Sequence, residues 1–280
     1  MIAIILENKL ESFNVPAAHI NFLKHNLLEP KTLEYYYDRI DMKEYIEDVP
    51  VEKIVALGLR GRSNQTWWDH ATYKVGTLIK CRMDRFEKEN NLVALTASER
   101  SRLFSNDSFI NHDDPVRLIC YEEDQKYFVS NGNHRVTWAK LLDIPKIKAK
   151  VTKHSFNPIK YDNYILYSTT KELLELVVKS VEMEMVSEDN YVCIYFNGFF
   201  VNEYPNHRIT DFSNEKLVKQ RIEDLHRVTD NIRKIDRDIN FYRRFPKKSR
   251  IYILKILKIF INNNSHWSLI KDMMESLDES

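Results

Sequence analysis

The sequence predicts an α/β (α+β) protein, a mixed α/β half followed by a mostly helical C-terminal region. Three stretches carry that prediction. "KYFVSNGNHRVTWAKLLDIPKIKAKV", residues 126–151, reads as strand, tight turn, helix and strand: an apolar run stops at Asn131-Gly132, and an alternating run resumes after Pro145. "VPVEKIVAL", residues 49–57, is apolar and β-branched, as a strand should be. From residue 214 to about 241, Val218, Ile222, Leu225, Val228, Ile232, Ile235 and Ile239 step by three and four, the period of one face of a long helix.

In chain order, residues 1–46 read as an N-terminal helical extension, with helical pieces in "PKTLEYYYDRIDMKEYIED" after Pro30. The central domain, 47–153, opens with the strand 49–57, and "GLRGRSNQTWWDH" follows as an irregular segment. "VGTLIKCRMDRFEKENN" is helical, and "LTASERSRLF" adds a helix whose Thr96 and Glu99 have capping-box spacing. Asp113-Asp114-Pro115 turns the chain, and "VRLICYEEDQKYFVS" makes a β-hairpin around the polar residues 122–126. After Gly132, Val136, Ala139 and Leu142 share one helical face, Pro145 ends that helix, and "KIKAKV" alternates as a strand does. In the last region, 154–280, "TTKELLELVVKSVEMEM" is an amphipathic helix with Thr169 and Glu172 at capping-box spacing, and "YVCIYFNGFFV" is a strand. "FYRRFPKKSRIYILKILKIF" follows the long helix, with seven Lys or Arg and no acid between 241 and 258.

Composition narrows the function classes. A chain of 280 residues suits one large domain or two modest ones. A net charge of +1 confines any nucleic-acid-binding surface to a local patch, for which 241–258 is the candidate. Cys81, Cys120 and Cys193 are far apart, with no C-x-x-C pair, which argues against a zinc site and for a reducing, cytoplasmic setting. The start has no basic segment before its apolar run, and no apolar stretch approaches the roughly 20 residues that span a bilayer, so no membrane partner is expected.

The sharpest chemistry lies at Gly132-Asn133-His134-Arg135. The first N–H groups of a helix lack intrahelical partners, and the helix dipole adds partial positive charge there. Glycine lets a backbone approach an anion closely, and His134 and Arg135 add donors and charge. Two readings remain open: a phosphate cradle, or a plain structural turn with Asn133 as N-cap and Arg135 solvated or paired with Asp143.

These residues, with "VPVEKIVAL" upstream, resemble the ParB/sulfiredoxin superfamily over roughly 47–153. The likeness rests on the early strand, the apolar strand ending in Gly132-Asn133-His134-Arg135, the helix with Ala139 to Leu142, and the strand after Ile144-Pro145. It implies a nucleotide or nucleic-acid phosphate held at that turn. A sulfiredoxin would carry a catalytic cysteine where this chain has Asn133, and a partition protein would carry Gly-Glu-Arg-Arg ahead of a helix-turn-helix. The resemblance therefore points to a nucleoside triphosphate, ATP or CTP with Mg²⁺, bound at Gly132, Asn133, His134 and Arg135 in an enzyme acting on phosphate bonds. A DNA- or RNA-binding nuclease or regulator is the alternative, and an interaction module using the helix 214–241 is a third reading.

Other residues are weaker candidates. His134 could serve as catalytic acid, and Glu52, near the start of the first strand, as base. Trp67 and Trp68 could stack on a base or fill the core. Asp69 with His70, or His112 with Asp113 and Asp114, could hold a metal, though neither has the spacing of a closed site. "YPNHR", from Tyr204, echoes the turn without its glycine.

Overall fold

In a computed structural model of the chain, the structure describes residues 2–58, 61, 64–75, 78–107, 110, 114–206, 209, 211–246, 249–250, 252–253, 271 and 273–274. The chain divides into two compact units, Met1–Pro158 and Ile159–Ser280.

The first unit is mixed α/β. Its elements are α1 (Ile2–Ser12), α2 (Ala17–His25), β1 (Tyr37–Arg39), β2 (Tyr45–Pro50), β3 (Ile54–Leu57), α3 (Trp67–Ala71), α4 (Lys80–Glu89), α5 (Ala97–Phe104), β4 (Arg117–Tyr121), β5 (Lys126–Asn131), α6 (Asn133–Leu141) and β6 (Lys146–Phe156). The six strands form one sheet in the order β1-β6-β4-β5-β3, with β2 also on β6. β4 and β5 are the expected hairpin, β3 runs parallel to β5, and β4 runs parallel to β6. Period-two alternation explains β6: Ile147, Ala149 and Val151 are buried, while Lys146, Lys148 and Lys150 face the other way. The buried face belongs to one core with Leu118, Val129 and Val136, Trp138, Ala139 and Leu141 of α6. Each such large apolar side chain contributes about 1.5–3 kcal/mol on full burial.

Two sequence expectations are corrected here. "VPVEKIVAL" is two strands, because β2 ends at Pro50, a 3₁₀ turn spans Val51–Lys53, and only then does β3 begin. "PKTLEYYYDRIDMKEYIED" gives a 3₁₀ turn at Lys31–Tyr35 and then strands instead of helical pieces. Pairing of Tyr37–Arg39 and Tyr45–Pro50 with β6 overrides the local helical pattern. The stretch 1–46 thus supplies sheet as well as helix, and Leu10, Ile20 and Leu23 of its helices, with Phe13 just after α1, join the same core as α6. Thr96 and Glu99 do form the capping box that starts α5. Arg100, buried within α5, ties that helix to the N-terminal segment by donating to the Phe13 carbonyl at 2.6 Å.

The second unit holds α7 (Pro158–Ser180), β7 (Glu184–Ser187), β8 (Tyr191–Phe196), β9 (Phe199–Pro205) and α8 (Glu215–Arg243). Its three strands form an antiparallel meander, so the region is not simply helical. "YVCIYFNGFFV" is a hairpin: Asn197 and Gly198 both take positive φ, 47° and 82°, as a two-residue type I′ turn requires. α7 begins at Pro158, which needs no N–H there. Thr169 is therefore mid-helix, donating to the Ile165 carbonyl at 2.8 Å, and caps nothing. All seven apolar residues of the predicted stripe on α8 are buried, several of them with Val192, Ile194 and Tyr204 of the meander. That stripe is buried, so one face of α8 is used in packing.

The basic stretch 241–258 is only partly described; Lys247, Lys248, Ile251 and 254–258 lie outside the described residues, as does Phe260. Arg250 within it donates to the carbonyls of Arg243 and Phe245, both at 2.7 Å, so this cation closes the end of α8. Among the described residues no helix is long and apolar enough to cross a membrane.

Candidate anion-binding site at the Gly132 turn

β5 delivers the chain to Gly132, which sits at φ 86° as the N-cap of α6. Only glycine occupies this left-handed conformation at no steric cost. A Cβ there would also lie 3.0 Å from Val116 Cγ2 and 3.3 Å from Arg135 Nη2, so the guanidinium folds back over the turn. The cap is Gly132, not Asn133, and no side chain caps the helix.

Arg135 is the charged centre of the turn. Its side chain is 16% exposed, and its ion pair, to Asp114 Oδ2, is long at 3.4 Å with the carboxylate largely in solvent. Burial lowers the basicity of the guanidinium and Asp114 acts in the opposite sense, but an arginine remains a cation in either case. The expected pairing with Asp143 does not form; Asp143 lies beyond the other end of α6 and contacts His19. Asn131 Nδ2 donates to Asp114 and, at 2.8 Å, to the Pro115 carbonyl, holding the strand end in place. Asn133 Oδ1 is buried without a hydrogen-bond partner among the described residues, an acceptor that calls for a donor.

His134 joins a second helix to the site. Its Nε2 accepts the backbone N–H of Ile79 at 3.0 Å, and Ile79 is the N-cap of α4. Two helix N-termini, each with partial positive charge, therefore meet at His134. Trp138 Nε1, donating to the Met83 carbonyl at 3.1 Å, braces the same pair of helices. A ring nitrogen that accepts an N–H carries no proton, so Nε2 is not the catalytic acid in this arrangement and the ring's proton belongs on Nδ1. His134→Ala is expected to lower stability by about 0.5–1.5 kcal/mol without any ligand present. An unchanged chemical-denaturation midpoint would show that this bond contributes nothing.

Glu52 is not part of this site. It is exposed in the 3₁₀ turn before β3, and β3 runs parallel to β5, so it lies at the opposite end of the sheet from Gly132. Its carbonyl accepts from Lys140, seven residues, or roughly 10 Å, along α6 from Asn133. The end of β3 lies nearer the turn. Gly58 follows the last residue of β3, and a Cβ there would lie 2.0 Å from the Val129 carbonyl oxygen of β5. β3 therefore ends, at Gly58, at the same end of the sheet as the Gly132 turn; Leu59, Arg60 and Arg62 lie outside the described residues. The scarcity of glycine, five in the chain, was the available signal.

The remaining candidates resolve as framework. Trp67 and Trp68 are buried in the core, so they offer no stacking face. Asp69 closes a capping box with Thr66 and pairs with Lys74 at 3.0 Å, and His70 is fully buried. His112 and Asp113 lie outside the described residues, and among those described no three His, Cys, Asp or Glu side chains are grouped to hold a metal. In "YPNHR", Asn206 binds Ser187 and Glu188, while His207 and Arg208 are outside the described residues.

No family model, curated protein or solved structure matches this chain. The chemistry of the turn must then be judged on its geometry: a shielded cation, two converging helix ends, a left-handed glycine and a buried unpaired amide oxygen. Such a site suits an anion.

Proposed function

We propose that this protein binds a nucleoside triphosphate, ATP or CTP, at the Gly132–Arg135 turn and acts on one of its phosphate bonds. The first unit is read as a domain of ParB/sulfiredoxin type. The observation that carries the reading is Arg135, a mostly shielded guanidinium whose ion pair among the described residues is one long contact to an exposed carboxylate. A phosphate oxygen at the turn would give it the short charge-assisted contact that Asp114 does not. Mg²⁺ would arrive with the triphosphate; Asp114, the carboxylate at the turn, is engaged by Asn131 and Arg135, so no protein ligand set is assigned.

A second reading, binding of a DNA or RNA backbone, draws on one observation. In the sheet Arg117 lies beside Asn131 on one side and Lys150 on the other, next to the turn. A thermal-shift comparison separates the two. ATP or CTP with Mg²⁺ at about 100 times its dissociation constant should stabilise the protein by about 2.7 kcal/mol. Stabilisation by DNA or RNA alone, falling steeply as salt rises, would favour the second reading. No shift with any triphosphate would overturn the first.

A further inference from the structure

The second unit carries a groove of about 850 Å³ between β9 and α8, within the usual size range of ligand sites. One wall is the edge of the meander. Among the described residues β9 pairs with β8 alone, so no strand lies along its other side. The Asn206 N–H donates to the Asn190 carbonyl at 2.8 Å, which sets the phase of the ladder between these strands. Bonded pairs alternate along an antiparallel ladder. Tyr204 and Asn202 therefore turn their backbone groups toward β8, while Glu203 and Pro205 turn theirs away from it.

The outward N–H of Glu203 donates to Asn202 Oδ1 at 2.8 Å. A side-chain amide oxygen thus stands where the carbonyl of an added strand would accept. The other wall is α8, where Arg227, Asn231 and Lys234 follow at i, i+4 and i+7 over roughly 10 Å of one exposed helix face. Arg227 is exposed and pairs with Asp224 at 3.1 Å on its own helix, and Lys234 has no ion pair among the described residues. Glu203 does not cancel these cations. It alternates with Tyr204, which packs into the core with α8, so its side chain lies on the opposite face of the sheet. Tyr191 and Phe200 add exposed rings to the lining.

We propose that this groove takes an extended acidic peptide segment of a partner protein, added beside β9 as a fourth strand. The main-chain groups of a free edge recognise those of another chain, and alternate side chains of the added strand meet different surroundings. One partner residue accepts from the Glu203 N–H in place of Asn202 and donates to the Glu203 carbonyl, and the Pro205 carbonyl accepts a further N–H. Side chains turned to α8 meet Arg227 and Lys234 and are acidic; those turned the other way meet Tyr191 and Phe200 and are apolar. The addition is short, because Pro205 offers no N–H and a bulge at Val201 breaks the register. The same two features guard the edge against indiscriminate pairing. The groove lies in the second unit and is independent of the Gly132 turn and of any nucleotide.

The probe is a random octapeptide library displayed on phage and selected on the full chain. Enriched sequences should alternate acidic and apolar residues, and a synthetic peptide of that sequence should shift the Glu203 amide resonance. Arg227→Glu combined with Lys234→Glu should weaken the peptide by about 5-fold or more, since two attractive pairs become repulsive. Asn202→Ala should tighten it by about 2- to 12-fold, because the peptide no longer displaces a hydrogen bond. Matching melting curves check the fold, and Arg227→Gln with Lys234→Gln gives the same direction of change if the reversed pair does not fold. Absence of acidic sequences among the selected peptides, equal affinity in the charge variants, or weaker binding by Asn202→Ala would overturn the proposal. So would oligo(dT) binding that the charge variants lose while no acidic peptide binds, which gives the groove to a nucleic-acid strand.

Discussion

Arg135→Ala is expected to weaken binding of ATP or CTP by about 1.5–3 kcal/mol, the usual worth of a hydrogen bond to a charged group. That is roughly a 10- to 150-fold rise in dissociation constant. The loss should fall on affinity and spare the fold, because the ion pair broken among the described residues reaches an exposed Asp114 at 3.4 Å, and such pairs contribute about 0–1 kcal/mol. Arg135→Lys should recover part of the affinity, since it restores charge without the planar fork that grips two phosphate oxygens. Titration calorimetry on the folded variants reads both effects. Affinity unchanged in Arg135→Ala, with its unfolding curve intact, would sink the assignment of the turn.

The second large effect concerns Lys140, which the sequence does not mark. It is 3% exposed, and burial pushes its ammonium down to about 8, with Glu52 and Asp143 acting in the opposite sense. An unfolded lysine titrates near 10.4. Between these values the unfolded chain binds more protons than the folded one, so stability rises with pH across the window from about 8 to 10.4. Below about 8 both states are protonated and the penalty is present in full, on the order of 3 kcal/mol. Lys140→Met removes the titration and keeps most of the volume. It should raise stability at pH 7 by about 1–3 kcal/mol, net of the lost bond to the Glu52 carbonyl and the contact with the Trp67 ring, and abolish the rise. Urea unfolding at several pH values checks both. A lysine variant no less stable than the methionine one at pH 7, with no slope above pH 8, would contradict it. Tyr37, Tyr121 and Tyr127, pushed up mainly by burial, would lower stability only above about pH 10, beyond most of this window.

What the sequence revealed was what neighbours in the chain determine. Gly132 between an apolar run and a helical one specified its own turn, and the spacing from Val218 to Ile239 specified which face of α8 is buried. The chemistry around the turn was largely hidden, because it depends on partners distant in sequence. Ile79 reaches His134 across 55 positions, and Lys140 reaches His19 across 121. Glu52 was misplaced because its role depended on strand direction, and no local pattern says that β3 lies parallel to β5. The break at Pro50 was legible in principle, since proline is confined to strand ends and edges, yet the β-branched residues on both sides masked it.

The strand β6 also sets a timetable for synthesis. Its whole length is needed to seat β1 and β2, and Tyr37 waits for Phe156, about 120 positions later. At about 5–20 residues per second, that delay on the ribosome is roughly 6–24 s. Until then Tyr37, Tyr45 and Ile46 belong to strands with no partner, which other chains could recruit. The first unit cannot close gradually from its N-terminus; it must close late, around a strand that emerges near its end.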